Sequence, residues 1–86
     1  MPTKTVHVGS SVGLHARPAA VIADAAGSQA ATVTIANPGG TPVDAASSLL
    51  IMTLGAKFGD VVEVSSDDQA AVDAIAALIE RDLDAD

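Results

Sequence analysis

The sequence predicts an α+β fold of two layers, a four-stranded antiparallel sheet with three helices on one face. Three observations carry that prediction. Short segments alternate apolar and polar residues, so each offers a valine or isoleucine face to a core. Helix-period segments are interleaved with them in the order β-α-β-β-α-β-α, which suits a layered sandwich with water on the free side of the sheet. Eighty-six residues without a cysteine give one core and no disulfide to brace it, so residues 1–86 read as a single domain.

Thr3 to Val8 alternates, with Val6 and Val8 on one side and Thr5 and His7 on the other, as a half-buried strand does. Gly9 to Gly13 reads as a loop. Ala16 to about Ala26 reads as a helix with Val21, Ile22 and Ala25 inward and Gly27 as its stop. Ala31 to Ala36 is the second strand, turned by Asn37-Pro38-Gly39-Gly40 into a short partner at Thr41 to Ala45. Ser47 or Ser48 caps a brief helix that runs through Leu54 and ends at Gly55. Val61 to Ser65 supplies the fourth strand. Ser66-Asp67-Asp68-Gln69 has capping-box spacing ahead of a last helix with Val72, Ile75, Ile79 and Leu83 in one stripe. Asp82, Asp84 and Asp86 oppose the dipole of that helix and predict a frayed end.

Composition narrows the function. A single Phe leaves the core to Val, Ile, Leu, Met and Ala, and the net charge is −7. The four cations, Lys4, Arg17, Lys57 and Arg81, are scattered, which excludes the clustered positive surface that nucleic acid needs. No segment is apolar for long enough to insert in a membrane, and the first residues lack a signal-peptide pattern. The expectation is a cytoplasmic monomer. His7 has no second histidine or carboxylate cluster beside it and reads as a surface strand residue, so neither a metal nor a cofactor is expected.

One stretch stands apart: Gly13-Leu14-His15-Ala16-Arg17-Pro18-Ala19-Ala20. A helix start offers backbone N–H groups and partial positive charge, so an anion is comfortable there. A neutral imidazole has a lone pair able to attack phosphorus, and histidine titrates near neutrality. Arg17 is a cation where the helix dipole disfavours one, which makes sense if an anion shares the position and accepts charge-assisted hydrogen bonds. Pro18 lacks an N–H and fits a first helical turn.

Residues Gly13 to Ala19 resemble the phosphorylation-site motif of the HPr family, the histidine-containing phosphocarriers of the phosphoenolpyruvate-dependent sugar phosphotransferase system. Ser47, followed by a short apolar helix and Leu54-Gly55, resembles the family's regulatory-serine region. The resemblance spans essentially the whole chain. It implies an open-faced βαββαβα sandwich in which His15 takes a phosphoryl group on Nδ1 from phospho-enzyme I and donates it to IIA domains of sugar permeases. Arg17 and the backbone N–H of Ala16 would hold the phosphoryl group, with no stand-alone enzymatic activity. Leu49, Leu50 and Met52 belong to a helix apolar around most of its surface. Leu50, Ile51 and Leu54 include core positions, and the remainder is a candidate docking patch for those partners. Ser47 aligns with the serine that a kinase phosphorylates in some members, although Ser48 stands where those members carry a bulky apolar residue. Two rival readings are a regulatory, protein-binding paralogue and a small-molecule-binding α+β domain.

Overall fold

Alternation of side chains along each strand sets the sheet. The computed structural model describes residues 2–9, 13–14 and 16–81. Within them the elements are β1 (Thr3–His7), α1 (Ala16–Gly27), β2 (Val33–Ala36), β3 (Val43–Asp44), α2 (Ser48–Thr53), β4 (Val61–Ser66) and α3 (Gln69–Glu80), the order expected. Residues 10–12 of the first loop, Leu83 of the last stripe and the acidic positions Asp82, Asp84 and Asp86 lie outside the described residues.

The strands lie in the order β1-β4-β2-β3, and every neighbouring pair is antiparallel. Register places Val6 opposite Val62, and Val64 opposite Ile35. Directly paired residues share a face, so Val6, Val8, Val62, Val64, Val33 and Ile35 meet the helices in one buried cluster. The other face carries the polar half of each strand. There Thr3, Ser65, Thr34 and Asp44 align across all four strands, with Thr3 Oγ1 and Ser65 Oγ hydrogen-bonded at 2.9 Å.

Local chemistry explains where the helices begin and end. Ser47 caps α2, its hydroxyl accepting from the Leu50 N–H at 3.3 Å. The α2 end is tied to the sheet by Asn37, whose Nδ2 donates to the Leu54 carbonyl at 2.8 Å. Ser47→Ala is expected to cost about 1 kcal/mol and to lower the thermal midpoint by roughly 4–8 °C, as calorimetry would show.

Three expectations are corrected. Ser66 does not cap α3: it is the buried last residue of β4, and its hydroxyl accepts from Asp68 N–H. Asp68 is the cap, its carboxylate accepting from Ala70 N–H at 3.0 Å. The short carboxylate reaches the first turn, while the serine is held two residues upstream by strand pairing with Val33.

On α1, Val21 is 38% exposed and Ala25 is only partly buried, while Pro18, Ala19, Ile22, Ala23 and Ala26 are buried. At about 100° per residue the buried positions from Pro18 to Ala23 share one arc of the helix, and Val21 falls roughly 60° beyond its edge, on the side that Ala20 and Asp24 turn to water.

Gly27 is the last helical residue and has no positive φ. The helix closes instead through tight bonds from Ser28 N–H to Ala25 O and Gln29 N–H to Ala26 O, both 3.2 Å, as 3₁₀ turns commonly do at helix ends.

Gly9 follows β1 and sits against the last turn of α3. Its N–H donates to the Ile79 carbonyl at 2.9 Å, and a side chain there would overlap the Glu80 carbonyl.

Candidate functional site

The segment ahead of α1 is anchored from both sides. Gly13 adopts φ +74°, a left-handed conformation natural to glycine and strained for other residues. That bend brings it against backbone: a Cβ at Gly13 would lie 2.6 Å from the Ala56 oxygen and 2.8 Å from Lys57 Cα. One residue on, the Leu14 N–H donates to that same Ala56 oxygen at 3.0 Å, while its side chain is buried in the core. On the other side, α1 opens at Ala16, and Pro18 and Ala19 bury into the same domain. His15 lies outside the described residues; its two chain neighbours are thus a core leucine and the first residue of a helix.

The surroundings suit an anion. The first turn of α1 contains no acidic residue, so its own side chains add no negative charge at the positive end of the dipole. Arg17 is exposed in that turn, and Ala16 precedes it, also exposed. Pro18, third in the helix, contributes no N–H but needs none, since first-turn donors have no acceptor within the helix. Lys57 is the cation that sequence reasoning passed over. Its backbone adjoins Gly13, and its N–H and carbonyl both bond Asp60, at 3.0 Å to the carboxylate and 2.9 Å from the N–H. No local motif signals this, because the neighbours are more than forty positions apart.

The candidate docking residues divide. Leu49 is 72% exposed and Leu50 41%, whereas Met52 and Leu54 are partly buried and Ile51 is fully buried. Of the positions read as including core, Ile51 is core, Leu54 half so, and Leu50 faces water. Helix α1 packs against α2. Its exposed positions are Ala16, Arg17, Ala20, Val21, Asp24 and Gly27, one helical face by spacing. Ser47 is partly buried, and its hydroxyl is engaged as the α2 cap. Away from the α1 start, His7 is exposed on the free sheet face as expected. The lone Phe58, 65% exposed, borders an open groove of about 370 Å³ with Thr5, His7 and Glu80.

An open-faced sandwich of this topology with Gly13-Leu14-His15-Ala16-Arg17-Pro18 leading into α1 defines a phosphocarrier of the phosphotransferase class. The family model described as the PTS HPr component phosphorylation site matches residues 2–81. The chain is 40% identical over 87 residues to the phosphocarrier protein HPr of Streptomyces coelicolor, covering 98% of this chain and 94% of that protein. It is 31% identical over 86 residues to the phosphocarrier protein NPr of Proteus mirabilis, covering 96% of each. The crystal structure of a phosphocarrier protein HPr from Bacillus anthracis superposes with a TM-score of 0.84 at 31% identity, over 91% of this chain and 95% of that one. The chain belongs to the HPr family.

Proposed function

We propose that His15 is the phosphoacceptor, taking a phosphoryl group on Nδ1 from phospho-enzyme I and handing it to IIA domains of sugar permeases. The observation that supports this most is the placement of the motif: its histidine joins the anchored Gly13-Leu14 segment to the opening turn of α1 in a member of the HPr family. In the transfer, the Nδ1 lone pair attacks phosphorus as the bond from phosphorus to its donor atom breaks. The electron pair of that bond returns to the donor, and a P–N bond to His15 forms. The second transfer reverses these roles with the next acceptor.

The helix terminus and Arg17 favour the added negative charge without binding it irreversibly, since exposed charge–dipole interactions amount to about 0.3–1 kcal/mol. A relay needs that modesty, because the group must leave again. Exposed Leu49 and Leu50, with Met52 beside them, supply an apolar contact for both partners. Phosphate on Ser47 would place new negative charge at the start of that same helix.

Incubation with phosphoenolpyruvate and enzyme I should add the mass of one phosphoryl group, lost in acid and absent in His15→Ala. No gain with active enzyme I from the same source, or an undiminished gain in the variant, rejects the assignment. The NPr relative favours a second reading, in which the same chemistry serves a nitrogen-linked phosphotransferase chain. Transfer from the phosphorylated protein to purified sugar IIA domains, compared with IIA domains of that other chain, separates the two.

A further inference from the structure

We propose that the outer edge of β1 is a docking site for an extended, basic segment of a partner protein, which adds to the sheet as a fifth strand. The proposal does not depend on the phosphoacceptor reading and stands or falls by its own test.

The sheet has two edges. One is β3, only two residues long. Its Asp44 is already engaged, the carbonyl accepting from Ser47 N–H and the carboxylate from Ala46 N–H. The other is β1, which runs for five residues. Alternate residues of an antiparallel strand turn their N–H and C=O groups to opposite sides. Pro2 O accepts from Ser66 N–H, and Val8 N–H donates to Asp60 O, so the even-numbered positions face β4. Thr3, Thr5 and His7 therefore turn their backbone groups away from it. Gly9, next in that series, donates to the Ile79 carbonyl, so the last turn of α3 closes the row at one end. Among the described residues, none hydrogen-bonds the outward backbone groups of Thr3, Thr5 or His7.

Such a row is a template for one more strand. It borders the open groove of about 370 Å³ that Thr5, His7, Phe58 and Glu80 help to line. Phe58, the one aromatic residue of the chain, leaves apolar surface in water that a docked aliphatic side chain would cover. Charge selects the partner. Glu80 places a carboxylate in the lining, to which Lys4 and Arg81 do not contribute, and the chain as a whole stands at −7. A lysine or arginine on the incoming strand meets that carboxylate, and the field of the protein assists its approach. A second copy of this chain would bring another −7 and be repelled.

The test is a nuclear magnetic resonance titration of the isotope-labelled protein with a capped five-residue peptide of alternating lysine and valine. Half-saturation is expected below about 1 mM. Shifts should concentrate at Thr3, Thr5, His7, Phe58 and Glu80, and amide exchange should slow at Thr5 and His7. Thr5→Pro deletes one outward N–H and leaves the bonds to β4 in place, as proline on an edge strand can. It should weaken binding by roughly two- to twelve-fold, the worth of one backbone hydrogen bond, with circular dichroism checking its fold. Glu80→Gln, which leaves β1 untouched, should weaken binding by about two- to five-fold, and less at high salt. The same peptide with glutamate in place of lysine should not bind.

No shift up to about 1 mM peptide, equal binding of the glutamate peptide, or undiminished binding in either variant overturns the proposal. Protection of the same amides without peptide, growing with protein concentration, assigns the edge to a second copy and overturns it as well.

Discussion

Gly9→Ala is expected to lower stability by about 3 kcal/mol or more, at the upper end of the range for overpacking. The thermal midpoint should drop by roughly 12–24 °C in a domain of this size. The new methyl would overlap the Glu80 carbonyl, a backbone group that cannot swing aside as a side-chain tip can. Relief requires the last turn of α3 to lift from the end of β1. That breaks the bond from Gly9 N–H to Ile79 O and loosens buried Ile79. Gly27→Ala is the control, because nothing lies within 4 Å of the added atom there, and alanine in a helix is favoured by roughly 0.5–1 kcal/mol. Urea unfolding of both variants decides the matter; a loss below 1 kcal/mol in Gly9→Ala would show that α3 ends less rigidly than described.

Gly13→Ala should strike transfer harder than stability. Alanine in the left-handed region costs about 1–2 kcal/mol, and its methyl would press on the Ala56 oxygen and Lys57 Cα. The segment can escape by swinging away from Ala56, at the cost of the Leu14 hydrogen bond. Gly13 belongs to no helix or strand, so circular dichroism should remain close to that of the parent. The motif proposed to carry the phosphoacceptor would then be offset, and a displacement of about 1 Å at a reacting group can cost about 100-fold in rate. Rapid-quench measurement of phosphorylation by the proposed donor, enzyme I, should show a loss of that order. A rate within threefold of the parent would mean that the Ala56 contact does not govern placement of the motif.

Much of the fold was legible because it is written in local periodicity. Val6 and Val8, Val33 and Ile35, Val62 and Val64 all face the core as their alternation predicts. The α2 cap was narrowed to Ser47 or Ser48 because serine before an apolar run suits a helix start, and the structure gives it to Ser47. Reading failed where two local signals competed. Ser66 and Asp68 both suit a helix start, and only pairing of β4 with β2 shows that Ser66 still belongs to the sheet. Val21 and Ile22 are equally apolar, and the choice between them is made by packing. At the candidate site, the motif and Arg17 were visible by adjacency. The roles of Gly13, Ala56 and Lys57 were not, since each arises from two distant stretches of backbone lying side by side.

The strand order has a kinetic consequence. Apart from the short β2–β3 pair, strands that are neighbours in the chain are not neighbours in the sheet, and β1 waits for β4. Such long-range pairing raises contact order, which slows folding relative to helical bundles of similar length. The Leu14 N–H likewise finds its acceptor only after α2 has been made. During synthesis, then, the segment before α1 emerges early and is completed late. A nascent chain stalled short of Ala56 would display the motif without the framework that seats it, making a poor competitor for the donor that charges finished molecules.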